Sequence, residues 1–93
     1  MSHDPITDIL TERGKNYGPF ADHAEITQTL KAVIEKHLLF RAIALTFDEQ
    51  EALDMICHKI GRIVNGNPHH SDSWDDIAGY ARLVADRLRG VVR

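Results

Sequence analysis

Apolar residues recur at three- and four-residue intervals along most of the chain, and no segment alternates with the period of two that marks a strand. Ile6, Ile9 and Leu10 predict a short helix over about residues 5–13. A turn-rich loop then follows, Arg13-Gly14-Lys15-Asn16-Tyr17-Gly18, because Gly and Asn tolerate positive φ. From about residue 21 to 44 the pattern is helical again, with Ile26, Leu30, Val33 and Ile34 on one face. Beyond Lys36, residues 38–45 are apolar nearly all round, so this run is either buried on two sides or broken by a helix end. Thr46-Phe47-Asp48-Glu49 matches a capping box and starts a helix at about Phe47. Leu53, Ile56, Cys57, Ile60, Ile63 and Val64 form its apolar stripe. Asn65-Gly66-Asn67-Pro68 stops it, with Gly66 as the expected left-handed C-terminal residue. A last helix is expected over about 73–88, capped by Asp72 and ended by Gly90.

The pattern predicts an all-α fold, a single domain over residues 1–93. Its expected form is a small antiparallel helix bundle completed by oligomerisation. A chain of 93 residues buries only a modest fraction of its surface, and the last helix is apolar over more than half its circumference. Composition narrows the classes. The net charge of -3 disfavours non-specific nucleic-acid binding, which leaves Arg82, Arg87, Arg89 and Arg93 as weak candidates for it. The single cysteine excludes an internal disulfide and fits a reducing compartment. No apolar run approaches the ~20 residues of a membrane span, and residues 1–5 carry no basic-then-apolar leader. The expected location is the cytoplasm. The six histidines lack zinc-ligand spacing, and no Gly-rich phosphate loop is present.

Two acid-rich stretches carry the candidate chemistry. On the helix from Phe47, Glu51, Asp54, His58 and Arg62 fall on one strip. On the last helix, Asp72, Asp75 and Asp76 lie within five residues, and one acid suffices to cap a helix. The bland alternative is a solvated strip with weak ion pairs, and a cap. Asp76 resists that reading because Gly79, Tyr80 and Leu83 share its face. If both stretches meet, Glu51, Asp54, Asp72, Asp75 and Asp76 repel one another unless a hard cation sits among them. Oxygen-only ligation selects Mg²⁺ or Mn²⁺. The expected roles follow. Glu51, Asp54, Asp72 and Asp76 hold metal, and Glu51, Asp54 and Asp75 serve catalysis, Asp75 as further ligand or base. Lys15, Tyr17, His58, Lys59, Arg62 and Tyr80 contact substrate, the cations offsetting phosphate charge.

These stretches resemble the MazG-like all-α NTP pyrophosphohydrolase superfamily, whose members carry a Glu-Glu-x-x-Glu type motif on one helix and a Glu-x-x-Asp type motif on the next. Glu51-x-x-Asp54 is similar to the second half of the first motif, with Asp in place of Glu. Asp76, followed by Ile77 and Tyr80, is similar to the Asp of the second. Ser73 stands where the second motif has Glu, and Asp72, one residue earlier, is its substitute. A closer likeness is to short phage and prophage proteins. They share Arg-Gly-Lys-Asn-Tyr-Gly-Pro-Phe-Ala-Asp-His at 13–23 and the stretches 51–61 and 72–81. The superfamily resemblance implies hydrolysis of a nucleoside triphosphate to the monophosphate and pyrophosphate, by a homodimer or homotetramer that needs Mg²⁺. The alternative from the residues alone is a non-catalytic helical oligomer acting as a protein-interaction module.

Overall fold

The computed structural model describes residues 4–93; Met1–His3, part of the segment searched for a leader, lie outside the described residues. The described chain is all-helical. α1 spans Pro5–Tyr17, α2 Phe20–Phe40, α3 Phe47–Asn65 and α4 Ser71–Leu88. None of the helices is long and apolar enough to cross a membrane.

Asp4 starts α1: its carboxylate accepts from the Ile6 amide at 3.0 Å and the Thr7 hydroxyl at 2.7 Å. Pro5 follows at the first helical position, where its missing N–H costs nothing. The loop expected over 13–18 is instead the last turn of this helix. Gly14 lies mid-helix, and Gly18, at φ 75°, ends the element. The reason is tertiary. Asn65 Nδ2 donates to the carbonyls of Tyr17 and Pro19 at 2.9 Å each, so the helix end finds partners that a free peptide lacks. Gly66 is at φ -126°, outside the left-handed region expected for it. Its need for glycine is space: an added Cβ would strike the Asn16 carbonyl and the Tyr17 backbone.

The break within the apolar run 38–45 falls at Arg41-Ala42. Ala42 is left-handed at φ 53°, and its amide bonds to Leu39 O at 3.1 Å while that of Ile43 bonds to Leu38 O at 2.9 Å. This pair of bonds is a Schellman end built without glycine. The capping box is present, and the Glu49 carboxylate accepts from the Thr46 amide at 2.9 Å. α4 begins two residues earlier than the acids suggest. His70 occupies the cap position, and Asp72 lies inside the first turn.

α3 is the middle element. α2 packs on one side of it and α4 on the other, α2 and α4 do not touch, and α1 lies against α2 and α3. Cys57 and Gly61 are buried on α3, and His23 and Thr27 of α2 fill the space beside Gly61. Ala52 and Lys59 are buried too, Lys59 toward α4. The bundle is therefore open, an elongated layer of 54 × 31 × 26 Å. Ala52 and Cys57 are the buried apolar residues among those described, while Phe47 (97% exposed), Phe40 (87%) and Phe20 (77%) stand in solvent. A soluble monomer rarely leaves so much large apolar surface uncovered.

Candidate functional site

The seam between α3 and α4 holds an ion pair that includes one of the expected acids. Lys59 Nζ lies 2.9 Å from Asp76 Oδ2, with the ammonium side chain 10% exposed and the carboxylate 47%. Lys59 reaches Asp76 because it leaves α3 on the side facing α4. Its long methylene stem crosses apolar ground while the charged head finds a partner.

Two hollows lie along α4, and Asp76 borders the first of them. One, of 490 Å³, is lined by Asp75, Asp76, Gly79, Tyr80, Arg82 and Leu83. The other, of 350 Å³, brings Glu51 and Ala52 of α3 together with Tyr80, Leu83 and the tail residues Val91 and Val92. Tyr80 and Leu83 belong to both. Glu51, Asp75, Asp76 and Tyr80 thus border one continuous stretch of surface.

The other predicted residues are distributed differently. Asp54 lines a separate groove between α2 and α3 with Lys31, Glu35 and Cys57, and accepts from the Gln50 amide at 3.0 Å. Asp72 lines a hollow of 450 Å³ with Arg13, Tyr17, Arg62 and His70, and its Oδ2 is 3.4 Å from His70 Nε2. Tyr17 and Arg62 do meet: the guanidinium lies 4.2 Å from the ring centroid, a cation–π stack. Lys15 projects from the last turn of α1 toward Glu12, 3.7 Å away, and is not among the residues lining the hollow of Arg13, Tyr17 and Arg62.

His58 also departs from expectation. Its ring meets that of His23 edge-on at 4.6 Å, in the α2–α3 contact. Burial first, and then the charges of Arg62, His23, Lys59 and Lys31, push its pKa down to about 4. It is neutral near pH 7 and does not supply the positive charge expected of it.

The five carboxylates do not converge within one chain. Among the described residues, no three His, Cys, Asp or Glu side chains are grouped so as to hold a metal ion. The physical reason is the position of α3. Asp54 faces the α2 groove and Asp76 the α4 seam, on different sides of the same middle helix. Asp76 already has a counter-charge in Lys59. Of the five, the acids that share one hollow are Asp75 and Asp76, so a Mg²⁺ ion there would take its remaining ligands from water, substrate phosphates or another copy of the chain.

Sequence reasoning missed a second polar cluster. Asp86, 3% exposed, accepts from Arg82 Nε at 2.9 Å through Oδ1 and from Arg93 Nε at 2.7 Å through Oδ2; Arg89 lies 3.6 Å away. The Arg93 and Arg82 bonds hold the Asp86 carboxyl below the usual carboxylate range. The Arg82–Asp86 spacing of four residues was the available signal.

The family described as a domain of unknown function, DUF6378, matches residues 6–88 of the chain. No curated protein and no solved structure matches it.

Proposed function

The chain belongs to the DUF6378 family, and we propose that it is a nucleoside triphosphate pyrophosphohydrolase-like protein of nucleotide metabolism. It hydrolyses an NTP or dNTP to the monophosphate and pyrophosphate, uses Mg²⁺ or Mn²⁺, and works as a homodimer or homotetramer. One observation carries the reading. Glu51 shares the Tyr80 hollow with α4, Tyr80 shares the next hollow with Asp75 and Asp76, and Asp54 lies one helical turn from Glu51. Glu51, Asp75 and Asp76 are thus the oxygen donors proposed for the ion on one copy, and Asp54, which opens into the α2–α3 groove, is proposed to reach it from another copy. The ion, when bound, supplies positive charge against substrate phosphates. Lys59 and Arg82 stand beside the acids as cations for the same phosphates, and the Tyr17–Arg62 stack offers a flat surface for a base. The exposed Phe20, Phe40 and Phe47 support self-association.

The second reading, a non-catalytic oligomer that binds another protein, is favoured by the Lys59–Asp76 pair, which balances Asp76 without any metal. A pyrophosphate-release screen over all NTPs and dNTPs, with Mg²⁺ and with Mn²⁺, separates them. The hydrolase reading expects turnover of at least one nucleotide. It expects a loss of about 100-fold or more in Glu51→Ala, Asp54→Ala and Asp76→Ala, and near-normal rates in Asp72→Ala. Silence with every nucleotide, or activity that survives Asp76→Ala, leaves the interaction module.

A further inference from the structure

The outward face of α4 has a charge order that suits one particular partner. Its first half carries Asp72, Asp75 and Asp76, and its second half leads into Arg82, Arg89 and Arg93. Gly79 lies between them, and a Cβ added there would meet nothing within 4 Å. Gly79 lines the 490 Å³ hollow together with the half-exposed Leu83.

We infer that a second copy of this chain docks here, α4 against α4, antiparallel about a two-fold axis at Gly79, with Asp76 of each copy pairing with Arg82 of the other. Asp76 and Arg82 are each three residues from Gly79, on opposite sides, so one two-fold axis makes both pairs at once. Each group has free capacity. Lys59 approaches Asp76 at Oδ2, and the carboxylate is 47% exposed. Asp86 takes Arg82 through Nε, which leaves the terminal amino groups of the guanidinium for an outside carboxylate. Asp75 and Leu83 are each four residues from the axis. Asp72 and Asp86 are each seven away, so Asp72 faces the cluster in which Arg82, Arg89 and Arg93 outnumber Asp86. A parallel pairing would set acid on acid and arginine on arginine, which like-charge repulsion disfavours. The missing side chain at 79 lets the two helix backbones approach closely.

This inference rests on the homo-oligomer part of the proposed function alone: a carboxylate held by Lys59 and by Arg82 of a second copy is balanced without a metal, so this pairing and metal ligation by Asp76 are alternatives. It does not depend on hydrolysis.

The test uses the full chain in two measurements. Sedimentation equilibrium compares the wild type with Gly79→Arg, a variant whose Cβ meets nothing of its own copy within 4 Å and whose helix propensity is higher than that of glycine. The expected result is self-association of the wild type at about 100 µM, weakened at least about tenfold in the variant. Crosslinking with a short bismaleimide, in a Cys57→Ala background, compares Gly79→Cys with Ala78→Cys, whose side chain is turned about 100° away on the helix. Gly79→Cys is expected to give covalent dimer and Ala78→Cys to give little. Association that is unaffected by Gly79→Arg, or crosslinking equal at both positions, overturns this face while sparing the homo-oligomer reading. A wild type monomeric at about 100 µM overturns both.

Discussion

Lys59 and Asp76 face each other unequally across the α3–α4 seam: at 2.9 Å, a lysine side chain 10% exposed meets a carboxylate 47% exposed. The asymmetry decides what each substitution does. Asp76→Asn removes the charge that balances the buried Lys59 ammonium. Breaking a fully buried pair costs ~3–5 kcal/mol, and the solvent reaching Asp76 reduces this to about 1–2 kcal/mol. Lys59→Met keeps the buried stem's volume and leaves a carboxylate that water can solvate, so it is expected to cost less, below about 1 kcal/mol. Urea unfolding of the two variants checks the order. A larger loss in Lys59→Met than in Asp76→Asn would show that the ammonium is better solvated than its burial implies.

His58 sets an acid limit on stability. Its folded pKa of about 4 lies below the ordinary histidine value of 6.5. Between those values the unfolded chain binds more protons than the folded one, so unfolding free energy falls as pH falls. The contribution is complete above about pH 6.5 and is lost progressively toward pH 4. Asp48, held down to about 2 chiefly by its bond to Arg87, acts in a lower window, below its ordinary 3.8. Urea midpoints for the wild type are therefore expected to drop between pH 7 and 4.5, and those of His58→Gln to drop less. Parallel curves for the two proteins over that range would locate the acid sensitivity elsewhere.

Helix type and the major breaks were legible because they depend on local chemistry. The capping box at Thr46 and the Gly66 N–H bond to Arg62 O that closes α3 are made within a few residues. What periodicity cannot carry is which side of a helix faces which neighbour. The Leu53–Val64 stripe reads as one core face, yet α3 is sandwiched, and Lys59, a residue that rarely goes inside, is buried between apolar positions because Asp76 awaits it. The same limit applies to the site. Glu51, Asp75, Asp76 and Tyr80 come together on adjoining hollows, whereas Asp54 and Asp72 open into separate ones. The end of α1 was misplaced for a related reason: Gly14 and Gly18 are both breakers in isolation, and only the Asn65 side chain, far along the chain, selects the second.

Gly61 and Gly14 are both interior helix glycines, with opposite expected responses to alanine. At Gly61 the added methyl carbon would stand 2.5 Å from both the His23 ring and the Thr27 hydroxyl. His23 is held by its Nε2 contact with the His58 carbonyl at 2.9 Å, so it cannot simply swing away. Forcing α2 and α3 apart is expected to cost about 1–3 kcal/mol. At Gly14 the methyl meets nothing within 4 Å, and alanine is expected to stabilise α1 by about 0.5–1 kcal/mol. Thermal unfolding of the two variants gives the comparison, and a Gly61→Ala protein as stable as wild type would mean that the α2–α3 contact is looser than these distances.

Asn65 is expected to control α1 alone. Its side-chain amide donates to Tyr17 O and Pro19 O in the α1–α2 turn, beside the Asn67 N–H bond to Asn16 O. In Asn65→Ala these carbonyls turn to water, at a cost of about 1–2 kcal/mol for a part-buried pair of bonds. Because α1 rests on only α2 and α3, and its residues are not buried, the loss is expected as local opening rather than global unfolding. Hydrogen exchange should therefore quicken across Pro5–Tyr17 and leave the α3–α4 amides at wild-type protection. Gly66→Ala should reproduce the pattern, since its methyl would displace the Asn16–Tyr17 backbone from the same place. If α4 amides exchange faster as well, α1 is coupled to the seam through the Tyr17–Arg62 stack, and the base-binding surface proposed there is part of the same cooperative unit.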